Sequence, residues 1–126
     1  MSDHPLQPLF ILDATLRQRV AERPQNSYVT KLLDGGIEKM GAKIREEAEE
    51  TIEAAPEVHD ADGSVSAKGR AHFVYECGDL FFHAMVLMAA SGVSLAQVAE
   101  ELGRRHGTSG LVEKANRPKP RDNGED

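Results

Sequence analysis

The sequence predicts an all-α protein, an antiparallel bundle of about four helices that oligomerisation completes. Three observations lead there. Apolar residues recur three or four apart along most of the chain, the period of helices buried along one face. Pro24, Pro56 and Gly92 stand where those periodic runs stop, as helix-ending residues should. The third run is apolar nearly all round, which is more than a chain of 126 residues can cover by itself. A length of 126 residues also means one domain, here residues 1–106, with a flexible tail over 107–126.

In the first run Leu9, Leu12, Leu16 and Val20 form a stripe, and the helix should end before Pro24. Asn26 or Ser27 then caps a second, long helix with the face Val29, Leu33, Ile37, Met40, Ile44, Ala48, Ile52 and Ala55. Gly35, Gly36 and Gly41 weaken it and mark a bend or a close approach, and Pro56 stops it. Residues 57–69 have loop composition; Asp60, Asp62 and Gly63 lack the order of a calcium loop. The third helix runs from about Arg70 to Ala90, with Gly92 as its stop. Ser94-x-x-Gln97 has the spacing of a capping box, and Leu95, Val98, Ala99 and Leu102 follow as a fourth helical stripe. Pro118 and Pro120 suit an extended, flexible tail.

Composition excludes several classes. No run of about eighteen apolar residues is free of charge, which argues against a membrane span. The start, Met1-Ser-Asp-His-Pro, lacks the basic-then-apolar order of a secretory signal. A single cysteine, Cys77, leaves no disulfide framework or cysteine-rich zinc site, and its apolar neighbours suit a packed thiol rather than a nucleophile. A cytoplasmic protein is expected. The net charge of −6 is uneven: residues 1–102 carry −8 and residues 103–126 carry +2. An acidic body repels a nucleic-acid backbone, so nucleic acid is not an expected partner.

The acids on the helices are not all solvating. With Met40 at 0° on a helical wheel, Glu47 falls at about −20°, on the apolar face, and Glu50 at about −80°. On the third helix Glu76, Asp79 and His83 share one side of an otherwise apolar surface. Glu47-x-x-Glu50 and Glu76-x-x-Asp79 therefore present two pairs, each one turn apart. Facing each other across a bundle they would hold four carboxylates in a low-dielectric seam, where unpaired anions cost several kcal/mol each unless neutralised. All-oxygen donors select a hard cation, Mg²⁺ with Mn²⁺ as substitute. A di-iron site would want Glu-x-x-His, which is missing here. The bland alternative is a glutamate-rich solvated helix with a few acids paired to Lys or Arg. A carboxylate-held cation suits polyphosphate hydrolysis; the phosphate-binding loop G-x-x-x-x-G-K-[ST] and the G-x-S-x-G elbow are absent.

At these residues the chain resembles the phosphoribosyl-ATP pyrophosphatase family of the all-α, MazG-like nucleoside-triphosphate pyrophosphohydrolases. The stretches that carry the resemblance are Asn26-Ser-Tyr-Val-Thr-Lys-Leu-Leu33, Lys43-Ile-Arg-Glu-Glu-Ala-Glu-Glu50, Glu76-Cys-Gly-Asp-Leu-Phe-Phe-His83, Arg104-Arg-His106 and Ser109-Gly-Leu111. The acid motif E-E-x-x-E…E-x-x-D falls on Glu46, Glu47, Glu50, Glu76 and Asp79. The family usually has Gly at Arg45 and Tyr at Phe82. The resemblance implies Mg²⁺-dependent hydrolysis of phosphoribosyl-ATP to phosphoribosyl-AMP and pyrophosphate, the second step of histidine synthesis, in a stand-alone form. It implies that Glu47, Glu50, Glu76 and Asp79 bind the metal, with Glu46 joining a second ion or orienting water. Lys31 and Lys43 are then expected on phosphate, Tyr28 on the base or a ribose, and His83 on a carboxylate or a phosphate. Arg104, with Arg105 and His106, and Lys114, with Arg117, are expected near the substrate, although the helix dipole also explains the first three. The alternatives are a related pyrophosphohydrolase that cleanses the nucleotide pool and a non-catalytic helical interaction module.

Overall fold

The structure is a computed structural model that describes residues 4–106, 114–115 and 117–118. Its elements are α1 (Gln7–Glu22), α2 (Tyr28–Asp34), α3 (Gly36–Ala54), a 3-10 turn (Ala55–Val58), α4 (Ala67–Ala90) and α5 (Leu95–Arg104). The chain divides into two compact units, Met1–Leu95 and Ala96–Asp126. The expected all-helical bundle is present: among the described residues the sole β pairing is an isolated bridge, His59 to Val65.

In α1 the stripe Leu9, Leu12, Leu16 and Val20 faces the core as its spacing requires. The helix ends where Arg23 takes a left-handed conformation, φ 47°, just before Pro24. Ser27 caps α2 by accepting the amides of Val29 at 3.1 Å and Thr30 at 3.4 Å.

The expected second helix is in fact two. It breaks at Gly35 and Gly36 because Gly36 sits at φ +74°, a conformation that an L side chain resists. The break adds a helix to the expected four and turns Ile37 out to 74% exposure. Ile52, also expected on the apolar face, is exposed as well. What α3 buries is the line Met40, Glu47 and Ala54, with residues seven apart on one side of a helix.

The expected loop over 57–69 is shorter than its composition suggests. Pro56 sits in the first turn of the 3-10 segment. Ser66 accepts the Gly69 amide at 3.0 Å and starts α4 three residues before Arg70. Gly92, at φ +75°, follows the end of α4 as expected. By length and composition α4 could cross a membrane. Its most extensive packing, however, is against α3, and its middle carries Glu76 and Asp79.

The core of the first unit gathers Leu16, Val29, Leu32, Met40, Met85, Val86 and Ala89, so α1 to α4 all contribute. Asp13 on α1 accepts the Leu95 amide at 2.9 Å, which satisfies a donor otherwise free at a helix start. The expected tail, 107–126, lies largely outside the described residues.

Candidate metal centre and active site

Packing of α3 on α4 brings Glu47 to Glu76 and Asp79, whereas Glu50 is exposed and clusters with Glu46 and Glu47 on its own helix. Thr51 ties the two helices at this level: its hydroxyl lies 2.7 Å from the Glu47 carbonyl and 3.1 Å from that of Glu76. One carboxylate oxygen each from Glu47, Glu76 and Asp79 lie within 4.8 Å of one another, and oxygens of Glu46, Glu47 and Glu50 make a second such group. Glu47, 6% exposed, belongs to both.

Electrostatics at Glu47 is unfavourable without a cation. Burial pushes its carboxyl above the usual range, Glu50 and Asp79 push it further, and His83 and Lys43 only partly offset this. Lys43 lies 3.2 Å from Glu46 and 3.8 Å from Glu47. The ion pair with Glu46 holds the Lys43 ammonium above its ordinary range. Among the described residues, Oε1 of Glu47 and Oε1 of Glu76 are buried without a hydrogen-bond partner. Native proteins rarely leave such atoms unsatisfied. An all-oxygen donor set with two orphaned oxygens fits a hard divalent cation.

His83 is buried, and both its ring nitrogens are engaged. Nδ1 lies 2.9 Å from the Asp79 carbonyl, which can only accept, so Nδ1 carries a hydrogen. In the neutral ring Nε2 then accepts from the Tyr28 hydroxyl at 2.9 Å. Tyr28 also stacks on Phe82 at 6.2 Å. His83 thus braces Tyr28 and the turn that bears Asp79. Lys31 is exposed on α2. In the second unit Arg104 and Arg105 bond to Glu101, which they hold at about 2. Lys114 is exposed and helical.

The motif reading omitted His72 and Glu57. His72 reaches Glu57 Oε1 at 2.9 Å and Glu76 Oε2 at 3.0 Å. These two bonds, Glu57 first, raise the His72 pKa. The spacing of His72 and Glu76, four apart, was visible in the sequence; the Glu57 contact depends on the fold.

Residues 11–106 match the family model described as phosphoribosyl-ATP pyrophosphohydrolase. A phosphoribosyl-ATP pyrophosphatase of Rhodopirellula baltica is 60% identical over 119 residues, covering 94% of this chain and 93% of its own. Similar relatives of the same name occur in Rhizorhabdus wittichii, 45% identical over 86% of this chain and 92% of its own, and in Cupriavidus metallidurans, 47% identical over 82% and 86%. With a family match over most of its length and an acid cluster assembled from that matched region, the chain belongs to the phosphoribosyl-ATP pyrophosphohydrolase family.

Proposed function

We propose that the acid cluster between α3 and α4 is where this enzyme hydrolyses phosphoribosyl-ATP to phosphoribosyl-AMP and pyrophosphate. The family and its named relatives carry the activity, a phosphoric-anhydride hydrolysis in histidine biosynthesis. The observation that carries the location is the pair of orphaned buried oxygens, Glu47 Oε1 and Glu76 Oε1. Glu47, Glu50, Glu76 and Asp79 would hold Mg²⁺, with Mn²⁺ as substitute. The chemistry such a cation supplies is Lewis acidity toward the phosphoryl oxygens.

Hydrolysis forms one bond from the oxygen of water to phosphorus and breaks one P–O bond of the anhydride. Glu46, exposed and held on one oxygen by Lys43, is the acid we assign to orienting that water. Lys43 and Lys31 supply positive charge to the phosphates. Tyr28 offers its ring to the base or a ribose while its hydroxyl stays on His83. We assign His83 to holding this arrangement rather than to a phosphate. Arg104, Lys114 and the neighbouring Arg105, His106 and Arg117 are assigned to the substrate by sequence alone.

A turnover panel tests the reading. With Mg²⁺, phosphoribosyl-ATP should exceed ATP, dCTP and dUTP in kcat/KM by about a hundredfold or more, and a chelator should abolish turnover. Equal turnover of dCTP would overturn the substrate; turnover unaffected by the chelator would overturn the cation. We further infer at least a homodimer, because Val74, Tyr75 and Phe81 on α4 are exposed apolar residues. A cytoplasmic location is inferred from the acidic composition and the nucleotide substrate.

A further inference from the structure

Glu76 does not hold its carboxylate in place by itself. Its Oε2 lies 3.0 Å from His72 Nε2, one turn earlier on α4. Its Oε1 is buried and unpartnered among the described residues, and a carboxylate oxygen of Glu76 lies within 4.8 Å of oxygens of Glu47 and Asp79. The far side of the His72 ring is engaged as well, with Nδ1 at 2.9 Å from Oε1 of the half-exposed Glu57. Glu57 comes from the 3-10 turn, and backbone packing sets its position. A Cβ at Gly69 would lie 1.8 Å from the Glu57 carbonyl oxygen, so the turn approaches α4 where only glycine fits. A carboxylate on a long side chain otherwise rotates freely and exchanges its oxygens. A hydrogen bond on one oxygen stops that exchange.

We propose that His72, anchored by Glu57, is a positioning residue that makes Glu76 a one-oxygen ligand, presenting Oε1 alone to the divalent cation. Partners beyond the ligands themselves commonly contribute tenfold or more to metal affinity. The inference rests on the reading of Glu47, Glu76 and Asp79 as the cation site.

The test is Mn²⁺ binding to the full metal-free chain, read from the electron paramagnetic resonance signal of free Mn²⁺, which requires no turnover. His72→Phe should raise the Mn²⁺ Kd about tenfold. His72→Gln, whose amide can donate to a carboxylate one turn away, should return the Kd to within about threefold of the parent. Glu57→Gln, which weakens the anchor and leaves α4 unaltered, should raise the Kd by about threefold. Parental affinity in His72→Phe, or equal loss in the Phe and Gln variants, overturns the positioning role. Glu76→Gln separates the two readings. If it binds Mn²⁺ as the parent does, the cation site is wrong and the proposal falls with it. If it loses binding while His72→Phe does not, only the positioning role falls.

Discussion

Glu47 shows how much a single side chain is asked to tolerate. It is nearly buried, within reach of Glu50 and Asp79, with one oxygen lacking any partner. In the metal-free protein this carboxylate opposes folding, so Glu47→Gln should raise the metal-free Tm by a few degrees while removing Mg²⁺-induced stabilisation. A calorimetric scan with and without Mg²⁺ checks both. Glu50→Gln and Asp79→Asn should each lower kcat/KM by about a hundredfold or more, since each removes a charged ligand with little change in volume. Glu49→Gln, one residue from Glu50 but outside both acid groups, is the control and should change kcat/KM by less than about threefold. Near-parental activity in both Glu50→Gln and Asp79→Asn at limiting Mg²⁺ would defeat the ligand assignment.

At the scale of elements, helix ends decide more than helix interiors. Asp13 joins α1 to the first amide of α5. Burial alone would raise its pKa, but the Leu95 amide and the Arg17 guanidinium outweigh that and hold it below the ordinary value. A carboxyl depressed in the folded state contributes stability above the unfolded pKa of about 4, and that contribution disappears as pH falls through the folded value. Asp13→Asn should therefore be less stable than the parent by about 1 kcal/mol at pH 7, with the gap in urea midpoint closing in acid. A constant gap down to about pH 2 would refute the charge argument. Gly69 poses a steric constraint instead. In Gly69→Ala the new methyl meets backbone, which yields far less than a side chain would. The variant should lose about 2 kcal/mol or more and move the 3-10 turn from α4, seen as faster amide exchange over residues 55–58.

At the scale of the whole molecule, apolar surface stays exposed among the described residues. Val74, Tyr75 and Phe81 on α4 and Ile52 on α3 are all more than half exposed. Light scattering at micromolar concentration should find at least a dimer. Val74→Glu, a charge placed on that surface, should shift the population toward monomer while leaving the helical circular dichroism signal intact. Monomer alone in the parent would refute the assembly.

Periodicity alone determined that this chain is helical, because an apolar stripe every three or four residues can be buried in no other regular structure. It also placed Glu47 on the buried face of α3, since a residue seven beyond Met40 returns to the same side of the helix. The sequence did not determine the break at Gly36: a glycine inside a helical pattern is compatible with a continuous helix, and only packing decides whether it adopts positive φ. Nor did it reveal Glu57, whose place beside His72 depends on a turn folding back onto a glycine twelve residues later. Tertiary structure alone decided which acids meet and which of their oxygens are buried without partners. Helical spacing puts Glu47 and Glu76 each on a face, but only the packing of α3 against α4 brings those faces together and excludes the water that would have solvated them.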